Sequence, residues 1–114
     1  MRRLAALLAL AAAAPCLDAL AQSPAVPPAF VRPDKGHCIA CHQVPVGAGP
    51  ATRADLGPRL EGARMRSLGK ARLKEAIEDP TRQNPNTVMP PFGRHRILEG
   101  GEIDRLVEYL HALP

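Results

Sequence analysis

A chain of 114 residues with 15 Lys and Arg against 11 Asp and Glu carries a formal charge of +4, a modest excess for its length. With no Trp, one Tyr and two Phe it has almost no aromatic surface on which bases could stack, which argues against nucleic-acid binding. Three cysteines are too few for a disulfide framework, and the length allows one small domain.

Residues 1–21 read as a secretory signal. Arg2 and Arg3 form a basic start, Leu4 to Ala14 is an unbroken run of Ala and Leu, and Ala19-Leu20-Ala21 is an A-x-A cleavage site. The apolar run is too short to span a bilayer comfortably, which argues against an uncleaved anchor. Lipidation of Cys16 calls for a small residue before it, and Pro15 stands there instead. The expectation is cleavage after Ala21, export to the periplasm and no membrane anchor. The mature chain then keeps 93 residues and two cysteines, Cys38 and Cys41.

Gln22 to Pro33 contains Pro24, Pro27, Pro28 and Pro33 and reads as an extended lead-in without a core of its own. The domain proper is expected over 34–114. Pro33 blocks an earlier helix start, and Asp34 can cap a short helix running into Cys38-Ile39-Ala40-Cys41-His42. That run is a C-x-x-C-H motif. Two thiols three positions apart can each add to one vinyl group of the same porphyrin, and the next residue is then held under the iron. A thioredoxin-like pair would need a strand–helix setting, and nothing before Cys38 reads as a strand. A four-ligand zinc site would need a second ligand pair, whereas His37, His95 and His111 are scattered singly. The motif therefore points to one covalent haem c, a one-electron centre.

Val44 to Leu60 is rich in Gly and Pro and reads as loop. A second helix is expected from about Gly69 to Glu78, with Leu73, Ala76 and Ile77 on one face and Asp79-Pro80 ending it. Thr81 to Gly93 holds Pro85, Pro90 and Pro91 and reads as loop. The last helix is marked by Ile103, Leu106, Val107, Leu110 and Leu113 on one stripe. Gly100 or Gly101 can cap its start, Glu102 and Asp104 suit the positive end of its dipole, and His111 suits the other end. No segment alternates like a strand, so the class is all-α: three or four short helices and long loops. Long loops in a small domain with few large side chains need an organiser, and a haem supplies one.

His42 supplies one axial ligand. Met65, Met89, His95 and His111 are the candidates for the other. Met89 sits in Thr87-Val88-Met89-Pro90-Pro91-Phe92-Gly93, where flanking prolines can hold a thioether over the haem at low entropic cost. Met65 lies between Arg64 and Arg66, a wetter setting, and His111 lies on the polar side of the last helix. His95 is the rival, being close to Met89 in sequence. His37, adjacent to Cys38, is badly placed for the same iron. In Leu56-Gly57-Pro58-Arg59-Leu60 a free carbonyl can accept the outer ring N–H of His42, or the segment is an ordinary turn.

C-x-x-C-H, Gly-Pro-x-Leu behind it, a late Met-Pro and an amphipathic last helix, in this order, resemble a class I cytochrome c. The run Gly36 to Pro45, Asp79-Pro80-Thr81, Asn84 to Arg94, and Glu102-Ile103-Asp104 through Tyr109-Leu110 resemble SoxX, the small cytochrome family of bacterial sulfur-oxidation systems. The likeness covers most of 36–113, and the Val-Met-Pro-Pro-Phe-Gly run is its specific part. It implies the class I cytochrome c fold, a heterodimer with a SoxA-like haem subunit, and oxidative coupling of thiosulfate to a carrier-protein cysteine. On this chain it implies Cys38 and Cys41 as haem thioethers and His42 and Met89 as axial ligands. The chain would accept electrons and pass them to a downstream acceptor, another cytochrome, without being catalytic alone. The alternative is a free-standing periplasmic electron carrier to a terminal oxidase. The lead-in before Gly36 is shorter than in longer family members.

Overall fold

The computed structural model describes residues 24–114, and among these there is no β-strand. The expected signal segment, its expected cleavage site and Cys16 lie outside the described residues. Four helices follow one another: α1 (Pro28–Val31), α2 (Gly62–Leu68), α3 (Lys70–Glu78) and α4 (Gly100–His111). Single 3-10 turns occupy Cys38–Ala40 and Pro80–Arg82.

Helix α4 is the scaffold. Its stripe is buried at Ile103, Leu106, Val107 and Leu110, and Leu113 beyond its end is buried as well. Each such side chain taken from water contributes about 1.5–3 kcal/mol. Tyr109 is buried too, although it lies off the stripe. The reason is that α4 is covered from more than one side, by α1 and by the α2–α3 pair. The start of α4 is not capped by a glycine, as expected from Gly100 and Gly101, but by Glu99. The Glu99 N–H donates to Glu102 Oε2 at 2.9 Å while the Glu99 side chain accepts from the amide of Glu102, a reciprocal capping box.

The lead-in differs from its expected extended form. Pro27 precedes α1, Pro28 takes its first position, where a missing N–H costs nothing, and Phe30 is only 1% exposed. The Phe30 and Tyr109 rings meet edge-on, centroids 5.0 Å apart. Proline content hid this turn, because its stability comes from the aromatic contact with α4 and not from local periodicity.

The helix expected from Asp34 is also replaced. Residues 33–36 form a turn, His37 takes the left-handed conformation with φ 46°, and the 3-10 turn begins at Cys38. The Asp34 carboxylate pairs with Arg32 and caps nothing. The His37 N–H donates to the Ala29 carbonyl at 3.1 Å, so the chain folds back onto α1 instead of running straight.

Helix α3 agrees with expectation in extent and in its buried Leu73 and Ile77, and it ends at Asp79-Pro80. Helix α2 was not anticipated. Gly69, at φ 79°, separates it from α3 with a backbone turn that a side chain would strain. Met65 is 3% exposed in the core, so the wet setting inferred from its arginine neighbours is wrong: Arg64 and Arg66 point outward while Met65 faces in.

Candidate functional site

The C-x-x-C-H segment is a tight turn. The Cys41 and His42 amides both donate to the Cys38 carbonyl, at 3.1 and 2.8 Å. Cys38 and Cys41 are both free of disulfide and partly buried. Burial pushes the Cys38 thiol up to about 11, so little thiolate exists at neutral pH. That environment suits an apolar attachment point better than a redox-active thiolate.

The loop 44–60 is laid back over this turn by a chain of specific bonds. Gln43 Nε2 donates to the Ala54 carbonyl at 2.7 Å, and the Leu60 amide returns to the Gln43 carbonyl at 2.9 Å. The Gly57 amide donates to the Cys41 carbonyl at 2.8 Å. The result is that the Pro58 carbonyl sits 2.7 Å from His42 Nδ1. Only an N–H at Nδ1 satisfies that contact, so the neutral ring keeps its lone pair on Nε2, the nitrogen free to bind a metal. The ordinary-turn alternative for this segment is thereby removed. Gly57 has no room for more: a Cβ there would come 2.3 Å from His42 Cε1.

Met89 comes from the loop between α3 and α4. Asn84 Oδ1 accepts the Asn86 amide at 3.1 Å, the Asn84 carbonyl accepts the Thr87 amide at 3.1 Å, and Thr87 Oγ1 accepts the Met89 amide at 3.1 Å. Two short side-chain turns in succession thus set the approach to Met89, and Pro90 and Pro91 stiffen its exit.

These segments line one cleft of about 670 Å³, a volume in the range of cofactor sites. Cys38, Cys41, His42 and Met89 all line it, with Leu56, Val88, Pro90, Phe92 and Ile97 as apolar surround. The donor set fits a covalently held haem: two thiols on one turn, an oriented imidazole and a thioether, in a largely apolar setting. Among the rivals for the iron, Met65 lies in the core and His95 is exposed, and neither lines the cleft. His111 does not line it either. His37 does, at the turn into the motif. Lys35 also lines the cleft, as do Asn84 and Asn86 at the start of the run that resembles SoxX, and none of the three carried an expected site role. Their proximity follows from how the two loops are closed, which no local pattern encodes.

Phe92 is 8% exposed and lines the cleft from the core side. The exposed apolar groups near the cleft are instead Val88, 74% exposed, with Leu56 and Ile97.

Comparison with known proteins follows the same lines. Residues 34–114 match the family model for cytochrome c. An uncharacterized lipoprotein of Aquifex aeolicus (strain VF5) is 35% identical over 79 residues, which is 68% of this chain and 36% of that protein. The chain thus spans only about a third of that relative's length. Among solved structures, the crystal structure of SoxXA from P. pantotrophus has a similar fold, with a TM-score of 0.62 and 21% identity over 73% of this chain and 74% of that one. At that identity the likeness is one of fold.

Proposed function

The chain belongs to the cytochrome c family, and on that premise we propose that it is the electron-accepting subunit of a periplasmic SoxAX-type complex that couples thiosulfate to a carrier-protein cysteine. As a family member it carries a covalently bound haem c and works in electron transfer. Cys38 and Cys41 would hold the haem by thioethers, and His42 Nε2 and the Met89 sulfur would bind its iron. Once bound, the haem supplies a one-electron couple.

The chain's own residues set the terms of that couple. The Pro58 carbonyl accepts the His42 Nδ1 hydrogen, fixing the ring's tautomer and orientation and raising its basicity as a ligand. A soft thioether at Met89 favours ferrous iron and raises the potential. With both His42 and Met89 bound to the iron, sulfur compounds would find no open site here, and bond formation would belong to a SoxA-like partner. Joining a cysteine thiol to thiosulfate makes one S–S bond and releases a proton and two electrons. The electrons leave singly by way of this subunit to a further cytochrome.

The observation that carries the proposal is the convergence of Cys38, Cys41, His42 and Met89 on one cleft beside exposed Leu56, Val88 and Ile97. The Val-Met-Pro-Pro-Phe-Gly run and the SoxXA-like fold support the choice of complex. The test is reconstitution. The holoprotein alone, with thiosulfate and an electron acceptor, should show no turnover; adding a SoxA-like subunit and the thiol carrier should start it, with reduction of this chain's haem. Full activity of the partner without this chain would return it to the class of free-standing carriers.

A further inference from the structure

The segment that bears Met89 leaves α3 at Asp79 and returns to it at Arg94. Its base is closed in two ways. The Gly93 and Arg94 amides both donate to the Glu78 carbonyl, at 3.1 and 3.0 Å. Beside them the Asp79 side chain joins the outgoing and returning strands of the loop. Its Oδ1 accepts the Thr81 amide at 3.2 Å and the Thr81 hydroxyl, and its Oδ2 accepts Arg94 Nη1 at 3.3 Å. Arg82 Nε approaches the same oxygen at 3.8 Å, and Arg94 Nη1 also donates to Thr81 Oγ1 at 3.3 Å.

Asp79 is the one buried charged or polar side chain of the described core, at 7% exposure. A buried carboxylate persists where partners satisfy it, and these partners all lie on the loop's two ends. The Thr81 hydroxyl first, and then Arg94, hold its carboxyl below the usual range, so it is ionised at neutral pH. Buried Pro80 and Phe92 pack near the two ends of the loop, and the Asp79 hydrogen bonds add to that packing. A second cavity of about 370 Å³ lies against it, lined in part by Glu75, Glu78, Asp79, Arg82 and Arg94. The base of the loop borders this space on the side of Asp79, Arg82 and Arg94, where hydrogen bonds and charge contribute to its closure.

We infer that Asp79 is the positioning residue for Met89: by clasping Thr81 to Arg94 it closes the loop and keeps the thioether at the iron. This rests on the reading of Met89 as an axial ligand. Asp79 touches neither haem nor iron and acts through loop geometry alone. When the clasp opens, the loop remains tethered by the Glu78 carbonyl, so Met89 swings away without the domain unfolding.

Asp79→Asn separates the clasp from the simple ending of α3. An Asn oxygen can still accept from Thr81, but its amide presents a donor to the Arg94 guanidinium, which has only donors. The experiment uses oxidised holoprotein and follows the near-infrared sulfur-to-iron band on heating, helicity by circular dichroism on the same sample, and binding of imidazole to the iron. In the wild type, band and helicity should be lost together. In Asp79→Asn the band should disappear well below the loss of helicity, and imidazole should bind about tenfold more tightly. Arg94→Gln, a change at an exposed side chain, should act in the same direction even if Asp79→Asn matures poorly, and Arg94→Lys should restore much of the wild-type behaviour. Unchanged imidazole affinity with coincident loss of band and helicity in both Asp79→Asn and Arg94→Gln would overturn the clasp while leaving Met89 as ligand. A wild-type protein with no such band would remove the axial role of Met89 and this inference with it.

Discussion

Gly57 shows how narrowly the imidazole of His42, the proposed iron ligand, is placed. Its amide is held by the Cys41 carbonyl and its α-carbon lies against the His42 ring, so a methyl group has nowhere to go. Gly57→Ala should displace His42 or Pro58 and break the 2.7 Å contact at Nδ1. The expected result is a lower yield of haem-loaded protein and a shifted reduction potential, read by spectroelectrochemistry; a variant with wild-type yield and potential would show that the loop yields easily. Met89→Ala should abolish the near-infrared sulfur band and admit carbon monoxide to the reduced iron. Persistence of the band in that variant would assign the thioether elsewhere. Met65 is a poor substitute, because it is packed in the core beside α4 and does not reach the cleft.

At the scale of elements, the domain is held by contacts that join segments distant in sequence. Phe30 links the one-turn α1 to Tyr109, and Tyr109 Oη in turn donates to the Ala48 carbonyl at 2.9 Å, so one aromatic pair fastens the lead-in, the 44–60 loop and α4. Phe30→Ala should cost about 3–5 kcal/mol of holoprotein stability by denaturant unfolding, the range for a large buried ring. A loss near zero would mean that α1 is an ornament on the domain. The capping box has a pH signature. The Glu99 amide first, then Lys35 at 3.1 Å, lower the Glu102 carboxyl below its ordinary value. The ionised form is thus favoured by folding. Its contribution is complete above the unfolded value of about 4.3 and is lost as pH falls through that value towards the folded one. Glu102→Gln should reduce stability at neutral pH and flatten part of the decline below about pH 5, measured as unfolding midpoint against pH. Asp34 and Asp79, also lowered, leave a residual acid slope in that variant.

At the scale of the whole molecule, the expected signal over residues 1–21 makes a prediction about the mature N-terminus. No helix among the described residues is long and apolar enough to cross a membrane. The matched A. aeolicus protein carries the name lipoprotein, whereas Pro15 before Cys16 argues for simple cleavage in this chain. Intact-mass analysis of protein exported with its own N-terminus should give one haem on a chain beginning at Gln22. A mass for a diacylglycerol-modified chain beginning at Cys16 would replace that expectation with a lipid anchor. The proposed association with a SoxA-like subunit belongs to the same scale, and the exposed Leu56, Val88 and Ile97 beside the cleft are where substitution to Ser should weaken it.

What the sequence determined by itself was the chemistry and the two best helices. C-x-x-C-H is a local pattern whose spacing carries its chemistry, so a covalent haem can be read without coordinates, whereas Met89 was one of four candidate ligands and is the one of them that lines the cleft. Helix α3 and the stripe of α4 are likewise visible, because a 3.6-residue period with clear stops is a property of the string. Tertiary structure decided the rest. The α1 turn exists because Phe30 finds Tyr109, and residues 33–37 turn because the His37 amide finds the Ala29 carbonyl. Short α2, with Met65 inward among outward arginines, is held by α3 and α4 and by Arg66 reaching the Leu113 carbonyl. The Glu99–Glu102 capping box is local, three residues apart at one helix start, whereas Asp79 as a clasp on Arg94 depends on side chains brought together by the closing of a loop. Loop closure trades chain entropy against contacts many residues apart, and that balance is struck only in the folded chain.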